Sequence, residues 1–273
     1  MMGKDMNIYS MYFSPTGTTE KIVKKIADTL KDKFEKQDIT NIDFTNIENR
    51  QTGQSFSSDN LVVFGVPVIA GRVPNVLLKY LNNVKGNGAL AVCVVVYGNR
   101  NYDDALIELR DILTDNGFKV IAAGAFIGEH SFSKILAKER PDDEDMSVAK
   151  NFSDQIYDKI SKGNLDEVKV KGSNPYRDYY KPEDKSGNFV DIRKVVPKTN
   201  ENCIDCKICA KACPMGSIDF NDVAILNGIC IKCCACIKKC PTEAKYFDDK
   251  NYLNHKYELE VQFVKRKQAE IFI

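Results

Sequence analysis

The stretch SPTGTTEK, residues 14–21, follows the apolar run MNIYSMYF, residues 6–13, and precedes a segment with helical periodicity. Apolar residues recur from Ile22 to Phe34 at intervals of three or four, which predicts an amphipathic helix. A loop of one glycine and four hydroxyl side chains thus joins a strand to a helix. Two interpretations stay open for the loop alone, because such residues can bind a phosphate or merely cap the helix.

The same alternation of strand and helix continues along the chain. Valine-rich runs predict strands that are covered on both faces of a parallel sheet. The predicted strands are residues 6–13, 38–44, 61–66, 89–96 and 118–127. Besides the helix over residues 22–34, further helices are predicted over residues 74–84, 102–117 and 141–162. Right-handed crossovers between them predict an α/β fold, a doubly wound parallel sheet of five strands, within residues 1–163.

The rest of the chain divides into three further parts. Residues 164–199 are polar and rich in proline and tyrosine, which predicts a linker packed on the first domain rather than a loose tether. Residues 200–247 hold nine of the ten cysteines, whereas Cys93 sits among valines as a small buried apolar residue. The tail, residues 248–273, has apolar residues at both strand and helix spacings, so its secondary structure is left undecided.

Three loops are expected at one edge of the sheet, where parallel strands end. They are SPTGTTEK after the first strand, GVPVIAGRVP (residues 65–74) after the third and YGNRNYDD (residues 97–104) after the fourth. Together they resemble the FMN-binding loops of the flavodoxin family, whose strand order is 2-1-3-4-5. That resemblance covers roughly residues 5–162. It implies a phosphate site and a ring site formed by Ser14, Thr16, Gly17, Thr18, Thr19, Pro67, Val68, Ile69, Ala70, Gly71, Tyr97, Gly98, Asn99, Asn101 and Tyr102.

Several residues near these loops have two interpretations each. Many flavodoxins stack an aromatic ring on each face of the flavin, and the chain has no tryptophan, so Tyr102 is the main stacking candidate or else a surface tyrosine. Arg72 or Arg100 would favour a reduced, anionic flavin, or would be solvated loop charges. His130 could approach the flavin or a partner, or be a polar surface residue.

The motif CIDCKICAKACP, residues 203–214, recurs as CIKCCACIKKCP, residues 230–241, an offset of 27 residues. Three cysteines at such spacing can bind three corners of a cubane, while the cysteine before proline reaches across to the other cluster. That rule assigns one [4Fe–4S] cluster to Cys203, Cys206, Cys209 and Cys240, and a second cluster to Cys230, Cys233, Cys236 and Cys213. Zinc would more naturally use two separated CxxC pairs for each ion. Cys234 is left over as a spectator, unless a rearranged cluster recruits it.

The cassette, residues 200–247, resembles the small α+β dicluster ferredoxins of bacteria, and the whole chain resembles flavodoxin–ferredoxin fusion proteins of anaerobic bacteria. This likeness implies FMN, two [4Fe–4S] clusters and a cytoplasmic location. Lys plus Arg and Asp plus Glu nearly balance at 39 against 38, so nothing in the charge calls for nucleic acid. The longest apolar runs are too short to span a bilayer, so membrane insertion is not expected.

Two function classes follow from this likeness. In the first, the protein is an electron carrier that docks to other redox proteins, with donor and acceptor unknown. In the second, the clusters feed the FMN, which reduces a small molecule such as a quinone, an enoate or a nitro compound. The first class predicts a flavin edge open to a partner, and the second predicts a walled cavity with a proton donor. Redox sensing is disfavoured, because no effector or DNA-reading module is recognisable.

Overall fold

The computed structural model describes residues 6–184 and 186–273. Within these ranges the strands are Asn7–Tyr12 (β1), Thr40–Asp43 (β2), Asn60–Pro67 (β3), Leu90–Tyr97 (β4), Lys119–Ile127 (β5), Lys198–Thr199 (β6), Lys245–Tyr246 (β7) and Glu270–Phe272 (β8). The α-helices are Thr18–Lys33 (α1), Leu78–Leu81 (α2), Ala105–Asp115 (α3), Asp143–Ser161 (α4), Ile208–Lys211 (α5), Ala235–Lys238 (α6) and Lys250–Gln262 (α7). No helix in this part of the chain is both long and apolar enough to cross a membrane.

The main sheet has the order β2-β1-β3-β4-β5-β8, and its first five strands are parallel. The predicted order 2-1-3-4-5 is confirmed. The expected count of five strands was too low, because β8 adds an antiparallel sixth strand at the edge of β5. Ile271 packs against the apolar core on one face of the sheet and Phe272 against the core on the other face. The alternation of a strand thus lets this short segment cover an edge that would otherwise expose unpaired backbone groups.

Helices cover both faces of the sheet, which is why β3, β4 and β5 are apolar on both sides. On one face, α1 and α4 bury their apolar residues against the sheet, with Ile22, Ile26 and Phe152 fully buried. On the other face, α3 and the short helical segment that ends in α2 contribute Leu109 and Leu81. Residues 74–84, predicted as one helix, form only a 3-10 turn, Asn75–Leu77, followed by the single turn of α2.

The first loop ends in a left-handed residue. Gly17 has φ +88° immediately before α1, and glycine occupies this conformation without the strain of a side chain. No side chain caps the helix at Gly17. Three residues earlier, the Ser14 hydroxyl accepts a 2.9 Å hydrogen bond from the backbone N–H of Glu20. Cap-like bonding therefore comes from Ser14, and no hydrogen bond joins the Thr16 or Thr18 hydroxyl to another of the described residues.

Residues 164–199 run over the first domain and contact it through tyrosines. Tyr176 donates a 2.7 Å hydrogen bond to Asp111, and Tyr179 donates one of 2.9 Å to the carbonyl of Val73. The Arg72 guanidinium lies 4.8 Å and 5.0 Å from the centres of these two rings and is paired with buried Glu108. The segment is thereby fixed along the loop that follows β3.

Candidate functional site

A cavity of about 490 Å³ lies at the edge of the sheet where the parallel strands end. Loops after β1, β3 and β4 form one side of it, which is the side that the sequence predicts. The predicted residues in this wall are Thr16, Thr18, Pro67, Val68, Ile69, Ala70, Gly71, Tyr97, Gly98 and Asn101. The wall combines hydroxyl groups at the start of α1 with a mainly apolar surface from the loop after β3.

The other predicted residues lie behind this wall. Ser14 is buried, its backbone N–H donates to the Thr45 hydroxyl at 2.8 Å, and Gly17 forms the left-handed turn. Thr19 is fully buried, its methyl group faces Gly65, and its hydroxyl has no hydrogen-bond partner among the described residues. These residues shape the loop from within.

Tyr102 belongs to the core and does not lie over the cavity. Its ring packs on Tyr97 with centroids 5.6 Å apart, and its hydroxyl donates a 3.2 Å hydrogen bond to Glu270 of β8. Burial raises the pKa of the phenol, so it stays protonated. The stacking of Tyr102 on a flavin stays a prediction, and in the structure its hydroxyl instead contacts the C-terminal strand.

Asn99 also binds the C-terminal segment rather than facing the cavity. Its amide nitrogen donates to the backbone carbonyls of Phe263 at 2.6 Å and Lys265 at 2.9 Å, and its side-chain oxygen accepts from Lys267 N–H at 3.3 Å. The residue itself has φ +64°, a left-handed conformation that asparagine tolerates better than most residues. Asn99 therefore anchors the tail that leads into β8.

An unpredicted aromatic residue, Tyr180, lines the cavity instead. Its backbone N–H donates a 2.8 Å hydrogen bond to the carbonyl of Ala70, so it lies beside the loop after β3. The guanidinium of Arg100, which also lines the cavity, is 4.3 Å from the centre of the Tyr180 ring and pairs with Asp103. The only sequence signal for this residue was the aromatic content of the linker.

Both histidines of the chain line the cavity. His130 Nδ1 accepts a 3.1 Å hydrogen bond from the backbone N–H of Phe132, which leaves the neutral ring with its proton on Nε2. Burial, aided by the positive charges of His255, Lys238 and Arg100, lowers the pKa of His130 to about 4. A Cβ at Gly98 would lie 2.5 Å from Cδ2 of His130, so glycine is needed for this approach.

The cysteine cassette supplies the opposite wall. Ile229, Cys230, Ile231, Lys232 and Cys233 line the cavity together with Leu259 of α7. Ion pairs hold the cassette there: Lys238 of α6 bonds the Glu129 carboxylate and the Ser133 carbonyl, and Lys134 lies 2.6 Å from Glu243. The flavodoxin-like loops and the cassette thus enclose one space.

The two cysteine motifs have matching backbones. Left-handed residues recur at the offset of 27: Asp205 and Lys232 have φ 54° and 56°, Lys207 and Cys234 have 62° and 59°, and Gly216 and Glu243 have 60° and 53°. Successive turns of this kind point backbone N–H groups into a concave loop that favours anions. The sequence repeat is therefore a structural repeat.

Five cysteines of the cassette line one small cavity. Cys213 of the first motif lies there with Cys230, Cys233, Cys234 and Cys236 of the second, and the crossed ligand sets stay a prediction. The fourth cysteine of each motif accepts an equivalent backbone hydrogen bond. The Ser217 N–H donates to Cys213 Sγ at 3.4 Å, and the Ala244 N–H donates to Cys240 Sγ at 3.2 Å. No group of three or more Cys, His, Asp or Glu within residues 6–184 and 186–273 closes around a single ion.

Comparison with known proteins identifies the first part of the chain. Residues 10–131 match the flavodoxin domain family. They form a flavodoxin-like domain. No curated protein matches the chain. A flavodoxin from the domain Archaea is similar at 15% identity over 57% of this chain and 99% of that one, with a TM-score of 0.41. Flavodoxin 2 from Bacillus cereus has 18% identity over 56% and 99%, with a TM-score of 0.41.

An NADH:FMN oxidoreductase in its apo form is also similar, at 16% identity over 56% of this chain and 88% of that one, with a TM-score of 0.40. A flavodoxin-like domain implies FMN, and the cavity suits its chemistry. The N-terminus of α1 and the hydroxyls of Thr16 and Thr18 complement a phosphate. Pro67, Val68 and Ile69 offer an apolar surface for a flat ring.

Proposed function

We propose that the chain transfers electrons between FMN in the cavity and two [4Fe–4S] clusters in the cassette. One observation carries the proposal: the loops of the flavodoxin-like domain and two cysteines of the cassette, Cys230 and Cys233, line the same cavity. FMN takes up two electrons and can release them singly, and such clusters pass one electron at a time. The protein would couple two-electron to one-electron redox partners.

The residues of the cavity would divide the binding of FMN between them. Thr16 and Thr18 would hold the phosphate at the N-terminus of α1, where the helix dipole favours an anion. Pro67 and the apolar loop after it would contact one side of the ring, and Tyr97, Gly98 and Asn101 would close the other. Tyr180 joins this set as a further aromatic residue that lines the cavity.

The cassette would hold its clusters through the two crossed sets of cysteines. Cys230, Cys233, Cys236 and Cys213 would bind one cluster, and Cys203, Cys206, Cys209 and Cys240 the other. The N–H groups that point at Cys213 and Cys240 support this, since hydrogen bonds to cluster sulfurs help set a reduction potential. A bound cluster needs reduced cysteines, which fits the cytoplasm of an anaerobe.

Analysis of FMN, iron and acid-labile sulfide in anaerobically purified protein tests the proposal. About one flavin with about eight irons and eight sulfides is expected, at four irons for each cubane. Iron without flavin would reject the cavity as an FMN site. Flavin without iron would reject the cluster assignment and leave only the flavodoxin-like half of the proposal.

A second candidate function is reduction of a small molecule by the FMN, with electrons supplied by the cassette. Two features of the cavity favour it. Tyr180 and residues of the cassette line the cavity in addition to the loops of the sheet, and both histidines lie there. Anaerobic assays with a quinone, an enoate and a nitro compound distinguish the candidates. A saturable turnover that is lost in His130→Gln would favour the reductase, whereas turnover only with one-electron acceptors would favour the carrier.

A further inference from the structure

The two sets of cysteines stand in different places relative to the cavity. Cys230 and Cys233 of the second motif line it, as do Gly98 and His130. The same two residues line the small cavity that also holds Cys236 and Cys213. The second set therefore occupies the space directly behind the wall of the proposed FMN site.

The first set lies away from that wall and reaches the surface. Cys203, Cys206, Cys209 and Cys240 do not line the 490 Å³ cavity, and Cys206 is exposed. Its neighbour Ile204 is 65% exposed and Phe220 is 54% exposed. Lys207 lies 5.9 Å from the centre of the Phe220 ring, so these apolar residues gather around the first motif.

The two sets adjoin each other inside the cassette. Cys209 of α5 and Cys236 of α6 pack in one small apolar cluster with Ile218 and Val223. Cys213, from the first motif, stands with the second set. Since α6 is tied to the loop after β5 through Lys238 and Glu129, the second set keeps a fixed position beside the cavity.

From this arrangement we infer that the two clusters act in a fixed order, with the second set next to the flavin and the first set as the outlet at the surface. The inference rests on the proposed function and adds direction to it. Each step would move one electron, from FMN hydroquinone to the second set, then to the first set, then to an external one-electron acceptor protein. Two such passages would oxidise one flavin, whose N–H protons would pass to water, and no covalent bond would change at the clusters.

Cys236 and Cys209 give a matched pair of variants for the test. They occupy equivalent positions at the offset of 27, both are buried, and neither lines the 490 Å³ cavity. Cys236→Ala and Cys209→Ala are prepared anaerobically as full-length protein with FMN, and loss of one cluster each is verified by iron analysis. In partly reduced samples, the microwave power saturation of the flavin radical signal then reports how close the nearest reduced cluster lies.

We expect the wild-type flavin signal to relax fast because of a neighbouring paramagnetic cluster. Cys236→Ala should lose this enhancement, and Cys209→Ala should keep it. The inferred order is overturned if Cys209→Ala alone loses the enhancement, if both variants keep it, or if both lose it. Should either variant lose FMN or both clusters, the equivalent pair Cys213→Ala and Cys240→Ala decides by the same readout. Absence of FMN or iron from the wild-type protein would instead reject the proposed function.

Discussion

The hydroxyl groups of the loop SPTGTTEK bear on both of its interpretations, helix cap and phosphate site. Helix capping was one of them, yet the N-cap position is Gly17 and the cap-like bond comes from Ser14 to Glu20. Thr16 and Thr18 line the cavity, while Thr19 is buried behind it. The residues that serve the helix and those that face the cavity are thus different members of one short stretch.

The double variant Thr16→Ala/Thr18→Ala should bind FMN more weakly, because a phosphate would lose two hydroxyl donors. Hydrogen bonds to a charged group contribute about 1.5–3 kcal/mol each, so the dissociation constant should rise by at least about tenfold. Flavin fluorescence titration of the apo-protein measures it. Ser14→Ala is the matched control, since it should cost about 1 kcal/mol of stability with little loss of FMN affinity. Unchanged affinity in the double variant would place the phosphate elsewhere.

Protonation of His130 should destabilise the fold in acid. Burial, His255, Lys238 and Arg100 lower its pKa to about 4, whereas an unfolded histidine titrates near about 6.5. The stability that its neutral form contributes is complete above the unfolded pKa and is lost as pH falls towards 4. Between pH 7 and pH 5 the free energy of unfolding of the wild-type protein should therefore fall by about 2 kcal/mol more than that of the His130→Gln variant. Urea unfolding at both pH values measures this, and equal losses would contradict it.

For single residues, the sequence predicted which loops contribute to the cavity better than it predicted the directions of individual side chains. Ten predicted FMN residues line the cavity, because the ends of parallel strands place loop backbones at one edge. Tyr102, which was predicted at the flavin, contacts β8, and the unpredicted Tyr180 lines the cavity, since the direction of Tyr102 depends on Glu270 of β8 and that of Tyr180 on the course of the linker. Both are contacts between distant parts of the chain, which no local pattern encodes.

Among the elements, the sequence left undecided the two in the tail, helix α7 and the C-terminal strand β8. A three-residue strand is too short for its alternation to be distinguished from helical spacing. Its position depends on the free edge of β5 and on Arg140, which donates a 2.9 Å hydrogen bond to the Lys267 carbonyl while pairing with buried Asp145. The parallel strands β1, β3, β4 and β5 were predictable because each is a largely apolar run, whereas β2 is short and polar.

Loss of the Asn99 amide should release this C-terminal segment. Asn99→Asp keeps an acceptor for Lys267 N–H and tolerates the left-handed backbone, but it cannot donate to Phe263 and Lys265. Two carbonyls would lose their partners, at about 1 kcal/mol for each net hydrogen bond. Faster amide hydrogen exchange in β8 should follow, with β1 unchanged as the internal control. Equal protection of β8 in variant and wild-type protein would show that Asn99 is not its anchor.

The whole molecule joins its two halves around one cavity, and this placement was outside the reach of the sequence. The motif repeat predicts two crossed sets of cysteines, because spacing limits what a cubane can contact. It did not indicate that Cys230 and Cys233, rather than Cys203 and Cys206, would face the flavin loops. That choice depends on contacts of Lys238 and Lys134 with the first domain, and charged surface residues carry little sequence signal.

Cys206→Ala tests the serial route from the flavin to the surface. The variant should keep its FMN, since Cys206 is exposed and does not line the cavity, and it should lose one cluster, about four irons. Electrons from photoreduced flavin should still reach the second set, as seen in its EPR signal. Transfer onward to an external one-electron acceptor should slow by at least about tenfold, which a barrier about 1.4 kcal/mol higher would produce. Transfer at the wild-type rate would mean that electrons leave without passing the first set.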